Sequence, residues 1–330
     1  MPSLLSGQGP VLRRVGTRHS DMNHELRKFT LESQSDGLCI AAACIAPEKP
    51  IAAVQLVHGM CEHKERYYPL MDFLASKGFA CVIHDHRGHG ESIKDRDDLG
   101  YFYKGGYRAA VEDVRLVTMW AKKEFPGLEL FLFGHSMGSL IVRTYTKSYD
   151  SLISGLIVCG SPSDNPAAGA GKVLAGICAL FGGERCRPAL IQKIAFGSYN
   201  KAFPDASSAN SWICSDDEVV RAYDADPLCN FRFTANGFCN LFSLVQQTYS
   251  RKGWKVANPQ LPVYFIAGEE DPCITTREKF DAAVDFMRKV GYTNVKSKLY
   301  PGMRHEIHNE REKALVWQDI ADILCSFLKR

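Results

Sequence analysis

Residues 128–145 read LELFLFGHSMGSLIVRTY, and this stretch decides the fold. The apolar run 128–133 has the character of a strand buried on both faces of a parallel sheet. It ends in Gly134-His135-Ser136-Met137-Gly138, a G-x-S-x-G. Beyond it Met137, Leu140, Ile141, Thr144 and Tyr145 recur at helical spacing. Strand, sharp turn and helix form the setting in which this pentapeptide carries chemistry. A serine in so tight a turn draws its neighbours close, and a side chain at Gly134 or Gly138 would clash. The turn lifts the Ser136 hydroxyl above the sheet edge. There the Met137 N–H and the helix dipole can meet a developing negative charge.

Working outward, strands and helices alternate on both sides of the elbow. Residues 1–22 are polar and aperiodic and read as a flexible lead-in, with Met22 as an alternative start. Strand-like runs at 26–31 and 37–45 flank a turn, Ser33-Gln34-Ser35-Asp36-Gly37. A near-continuous apolar strand at 51–57 leads into His58-Gly59-Met60, where the glycine permits a tight turn. A short helix at 67–77 stops at Gly78, and 79–84 is the next buried strand. A helix at 106–125 buries Val111, Val114, Thr118, Ala121 and Phe125 before Pro126-Gly127 breaks it. Residues 155–159 form the sixth strand. Such alternation predicts a mostly parallel, doubly wound sheet with helices on both faces.

The alternation stops between 161 and 258. A stretch of that length inside a compact domain is no loop. It reads as a mostly helical lid over the carboxyl edge of the sheet, inserted into a core of residues 23–160 and 259–330. One apolar helix is expected at 172–181, packed on the core, lining a substrate entry or dipping into a membrane surface. Another begins at Ser215, where Ser215 and Glu218 form a capping box. The wound pattern resumes with a strand at 261–267, a helix at 275–290, a strand at 295–300 and a closing helix at 312–328.

Bulk properties narrow the function classes. The chain has 330 residues, 45% of them hydrophobic, and a net charge of +3 with scattered basic residues. That suits a large α/β domain with an insertion and gives no nucleic-acid footprint. The 12 cysteines include no C-x-x-C pair, so buried thiols in a reducing compartment are expected. The longest apolar run, 173–181, is too short to span a bilayer, and the N-terminus lacks the apolar core of a secretory signal. The expectation is a cytoplasmic protein. His84, His86 and His89 suggest a metal, but Gly88 stands where an H-x-H-x-D-H site needs an aspartate. A loop shaped by Asp85 and Arg87 is the preferred reading.

A serine hydroxyl needs a base within hydrogen-bond reach, and that base needs an orienting carboxylate. Asp271 and His305 each follow a late strand, and the order Ser, Asp, His is the one this fold uses. Ser136 is read as nucleophile, His305 as general base and acid, and Asp271 as the residue that holds the imidazole. The N–H groups of Met60 and Met137 form the oxyanion hole. Glu269 and Glu270 rival Asp271, and His308 rivals His305. His308 would otherwise partner Glu62 or Arg66 structurally. His135 is read as a packing or hydrogen-bonding residue, and Gly59, Glu62 and Arg66 as supports of the site.

Taken together, HGMCEHKERY, HDHRGHGES, GHSMGS, GEEDP and MRHEIHNE resemble the monoacylglycerol lipase/lysophospholipase branch of the α/β-hydrolases, which includes serine aminopeptidase-like members. The likeness runs from about Leu26 to the C-terminus and is loosest in the lid. It implies a triad at Ser136, Asp271 and His305, an oxyanion hole at Met60 and Met137, no metal, no organic cofactor and a lid admitting one acyl chain. Met60 departs from the smaller residue common there and would narrow the mouth of the site. Ser139 replaces a frequent third glycine. The leading expectation is a serine hydrolase of monoacyl lipid esters, a small-molecule substrate class. The alternative is an aminopeptidase using acidic lid residues Asp164, Asp216, Asp217, Asp224 or Asp226. A non-catalytic binding protein is the third class. Dehalogenase and epoxide hydrolase chemistry is disfavoured, because those enzymes have an aspartate where Ser136 stands.

Overall fold

The computed structural model describes residues 22–328. The expected lead-in therefore lies outside the described residues except for Met22, which packs against the core. Eight strands form one sheet in the order β1-β2-β4-β3-β5-β6-β7-β8. They are β1 (Leu26–Glu32), β2 (Cys39–Ile45), β3 (Ala52–Val57), β4 (Phe79–His84), β5 (Leu130–His135), β6 (Gly155–Cys159), β7 (Val263–Gly268) and β8 (Val295–Tyr300). From β4 to β8 every neighbouring pair is parallel; β1 and β2 are antiparallel additions at one edge.

Helices cover both faces, which is why β3, β4, β5 and β6 are buried along their whole length. Helices α1 (Tyr68–Ser76) and α9 (Lys313–Phe327) close one face. On the other lie α2 (Gly106–Glu124), α3 (Met137–Tyr149), α7 (Ala235–Tyr249) and α8 (Arg277–Lys289). The apolar spacing drives this placement. In α8 the buried residues are Phe280, Ala283, Val284 and Met287, the i, i+3, i+4, i+7 stripe of an amphipathic helix. The one polar side chain facing inward from β3, Gln55, donates to the Val114 carbonyl at 2.9 Å and accepts from the Thr118 hydroxyl at 2.7 Å. Burial without those partners would cost about 1–3 kcal/mol.

Between β6 and β7 the described chain is helical: α4 (Ala168–Gly182), α5 (Ala189–Phe196), α6 (Asp217–Ala225) and α7. Three sequence expectations change here. Helix α6 is capped by Asp216, whose carboxylate accepts the Glu218 N–H at 3.0 Å, whereas Ser215 is engaged by Glu310. The Ser215–Glu218 capping box does not form. Helix α7, absent from the sequence reading, is the crossover helix between β6 and β7. Thr234 caps it by accepting from Gly237, and it buries Phe238, Leu241, Leu244 and Val245. Helix α4 packs through small residues, with Ala168 and Ala175 buried and Gly171 against the Phe242 ring. Leu174 packs against the core and lines the cavity, whereas Val173, Ile177, Leu180 and Phe181 point outward, Leu180 being 79% and Phe181 86% exposed. No helix of the described residues is long and apolar enough to cross a membrane.

Candidate active site

The parallel strands all end at one edge, and the predicted site residues follow those ends. Ser136 directly follows β5 and has φ 52° and ψ −120°, a backbone state costly for any residue but glycine. Its environment enforces that state. The Ser136 N–H donates to Cys159 O of β6 at 3.0 Å. A Cβ on Gly134 would lie 2.5 Å from a Val142 methyl, and one on Gly138 would overlap the Val57 and His58 carbonyls. Both flanking glycines are thus required by close approach. Met137 opens α3, so its N–H has no intrahelical acceptor.

Asp271 follows β7 and His305 follows β8. His305 Nδ1 donates to Asp271 Oδ2 at 2.9 Å, while Asp271 Oδ1 accepts the Cys273 N–H at 2.8 Å. The carboxylate is therefore fixed by both oxygens. Burial disfavours the imidazolium, but the adjacent Asp271 carboxylate outweighs it and raises the His305 pKa well above its ordinary value. Nε2, the other ring nitrogen, lies 3.9 Å from the Cys273 sulfur. The rivals lie elsewhere. Glu269 and Glu270 are exposed, and His308 stacks on Tyr67 with ring centroids 4.9 Å apart. Neither ring nitrogen of His308 finds a partner, so the expected pairing with Glu62 or Arg66 is replaced by ring packing.

The β3–α1 turn supplies the other wall. Glu62 Oε1 accepts the Gly59 N–H and the Tyr67 hydroxyl, while Oε2 takes Arg66 at 2.7 Å. Arg66 also grips both oxygens of Glu306, at 2.7 and 2.6 Å. Burial opposes ionisation of Glu62, but the His135 hydrogen bond and Arg66 override it and hold its pKa well below the usual carboxylate range. His135 reaches Tyr67 Oη at 3.0 Å, Glu62 Oε1 at 3.3 Å and the His305 carbonyl at 3.3 Å. It therefore ties the elbow to the histidine loop. Asp85 binds Lys64 at 2.7 Å and Arg87 binds Asp113 at 2.8 Å, so the loop after β4 is held by ion pairs as expected. Sequence reasoning missed Tyr67, Glu306 and Cys273. Each adjoins or lies near a residue it named, but only the fold shows which side chains meet.

Gly59, Met60, Ser136, Met137 and His305 all line one cavity of about 770 Å³. Helices α3, α4 and α7 contribute Leu140, Leu174, Leu241, Phe242 and Val245 to its wall. A strained serine, an Asp–His pair and a braced turn, gathered at the carboxyl edge of a sheet in this order, define the α/β-hydrolase class. Residues 48–312 match the family model described as Serine aminopeptidase, S33. The chain belongs to this family and is a carboxylic-ester hydrolase. It is 30% identical over 282 residues to a monoacylglycerol lipase of Mycolicibacterium smegmatis, covering 84% of this chain and 90% of that one. The human monoglyceride lipase is 26% identical over 267 residues, 79% of this chain and 77% of its own. Among solved structures, a thermostable carboxyl esterase from Bacillus coagulans, in complex with glycerol, superposes with a TM-score of 0.83 at 29% identity. That match covers 92% of this chain and 98% of the esterase.

Proposed function

We propose that this protein hydrolyses the ester bond of monoacyl lipids, a monoacylglycerol or a lysophospholipid, through an acyl-enzyme on Ser136. His305 takes the serine proton as Oγ attacks the carbonyl carbon, and Asp271 steadies the imidazolium that results. The Met60 and Met137 N–H groups receive the oxyanion, each such donor being worth about 3 kcal/mol. Collapse of the tetrahedral intermediate expels the glycerol-bearing alkoxide, which takes the proton from His305. Water then repeats the sequence on the acyl-serine. Helices α4 to α6 act as the lid, with α7 rooted in the core beneath them.

The observation that carries this reading is the cavity: it joins Ser136 and His305 to an apolar wall drawn from three helices, and its volume suits a drug-sized or larger apolar ligand. The monoacylglycerol lipase names of the relatives point the same way. The aminopeptidase reading has less support. Of the five acidic lid residues only Asp164 lines the cavity. Asp216 caps α6, Asp224 holds Ser208 and Asn210, and Asp226 binds His63. All 12 cysteines are unpaired, which fits a cytoplasmic setting. Val173, Ile177, Leu180 and Phe181 of α4, with Leu190 and Ile194 of α5, form an exposed apolar surface suited to transient contact with a lipid interface.

Assay of a series of monoacylglycerols, lysophospholipids and amino-acid arylamides, with Ser136→Ala as control, tests the proposal. Long-chain monoacyl esters should be the best substrates and the variant should lose activity. Activity retained in Ser136→Ala, or arylamides preferred to every ester, would contradict it.

A further inference from the structure

His63, Asp226 and Cys229 bring an imidazole nitrogen, a carboxylate oxygen and a thiol sulfur within 4.8 Å of one another. None of the three lines the cavity or belongs to the proposed catalytic machinery. They come from distant parts of the chain: His63 from the β3–α1 turn that carries Met60, Asp226 and Cys229 from the segment just after α6. We infer that these three side chains form a zinc-binding site that fastens the inserted helical segment to the turn beside the active site.

Three observations support the inference. First, the imidazole is already oriented as a ligand. Its Nδ1 lies 2.6 Å from Glu65 Oε2, the carboxylate–histidine arrangement that directs Nε2 at a metal. Second, Nε2 faces Asp226 Oδ2 at 2.8 Å. With Nδ1 donating to Glu65, these two atoms are both acceptors unless a cation, a proton or a metal ion, sits between them. Cys229 adds a third donor on the same side. Third, the donor set selects the ion. Imidazole, thiolate and carboxylate suit tetrahedral Zn²⁺ with one position open, whereas Mg²⁺ and Ca²⁺ require oxygen ligands.

The surroundings permit the charge. Arg66 is engaged by Glu62 and Glu306, Lys64 by Asp85, Glu91 and Glu65 Oε1, and Lys28 by the same Glu65 oxygen, which leaves Glu65 Oε2 to His63. His63 and Cys229 are buried, and the half-buried Asp226 leaves a way in from solvent. Binding displaces two protons, the one between His63 and Asp226 and the one on the Cys229 thiol. The other two donor clusters are less suited. His135, Cys159 and His308 are all buried beneath the elbow, and Asp271, Cys273 and His305 belong to the proposed triad loop. A metal at the first cluster would reinforce the Asn230 N–H to Cys61 carbonyl bond, which already joins the same two segments at 3.2 Å.

The test is zinc content after dialysis of the full chain, paired with cobalt(II) absorption. One zinc per chain should remain, and cobalt should produce a thiolate-to-metal charge-transfer band. Cys229→Ala should lose both, Cys273→Ala should keep both, and Glu65→Gln should weaken zinc binding roughly 10- to 100-fold. If Cys229→Ala melts early by circular dichroism, Asp226→Asn carries the same comparison. Substoichiometric zinc without a charge-transfer band in the unsubstituted protein would overturn the proposal. So would retention of the band by Cys229→Ala or its loss in Cys273→Ala.

Discussion

Ser136 occupies a backbone state that its neighbours impose, and the enforcing contacts are specific enough to test. A methyl group at Gly138 must displace the Val57 and His58 carbonyls, which belong to the end of β3 and the turn behind it. Gly138→Ala should destabilise the fold by about 1–3 kcal/mol in urea titration. The displaced turn should also reduce kcat. Glu62 sits one step further out. It holds the Gly59 N–H directly before the proposed Met60 donor, and the His135 hydrogen bond together with Arg66 keeps it ionised against burial. Glu62→Gln should lower kcat more than it raises KM, since a misplaced oxyanion donor weakens the transition state selectively.

The His305–Asp271 pair sets a pH dependence whose sign can be worked out. His305 must be neutral to accept the serine proton, and its pKa is raised well above 6.5 by Asp271. The acid limb of kcat/KM should therefore fall above pH 6.5. Asp271→Asn removes the carboxylate and leaves burial, which depresses a histidine, so the limb should shift downward while the rate drops by roughly 10⁴-fold. The stabilisation from the pair runs oppositely. It is fully present below the unfolded pKa of about 6.5 and is lost as pH rises through the folded value. A pH–rate profile of both proteins, with thermal melts across the same range, checks both signs.

At the scale of elements, periodicity made the sheet legible and failed where one rule competed with another. The strands at 79–84 and 155–159 were readable because both faces are buried, which leaves an unbroken apolar run. Helix α8 begins at Arg277 and not at Thr275, because Pro272–Ile274 takes a tight turn and Thr275 adopts φ 64°. Helix α4 shows the limit of composition. Its apolar residues divide between two faces: Ala168, Gly171, Leu174, Ala175 and Cys178 pack inward, while Val173, Ile177, Leu180 and Phe181 are exposed. Leu180→Asp with Phe181→Asp should reduce binding to phosphatidylcholine vesicles roughly tenfold or more, since each large apolar side chain withdrawn from water is worth about 1.5–3 kcal/mol. Hydrolysis of a short water-soluble ester should be unaffected. Equal loss on both substrates would count against an interfacial role.

Across the whole molecule, the order of elements was readable and the meeting of side chains was not. G-x-S-x-G after an apolar run pointed to Ser136, and the turns after two late strands pointed to Asp271 and His305. No spacing rule could pair Arg66 with Glu306 across 240 positions, bind His63 to Asp226 across 163, or set Cys273 beside His305. Those contacts depend on how loops fold over the sheet edge. Helix α7 was recoverable in principle, because Phe238, Leu241, Leu244, Val245 and Thr248 follow helical spacing behind a threonine cap. The long interval between β6 and β7 lacks the strand signals that frame α1, α2, α3 and α8. The carboxyl edge of the sheet unites residues from four turns, those after β3, β5, β7 and β8.

Reaction of the folded protein with a fluorophosphonate probe, followed by peptide mapping of the adduct, tests the central claim most directly. A hydroxyl activated by His305 should carry one phosphonyl group on Ser136, and labelling should fall sharply in His305→Ala. A folded protein that stays unlabelled, or one labelled at another residue, would contradict the mechanism.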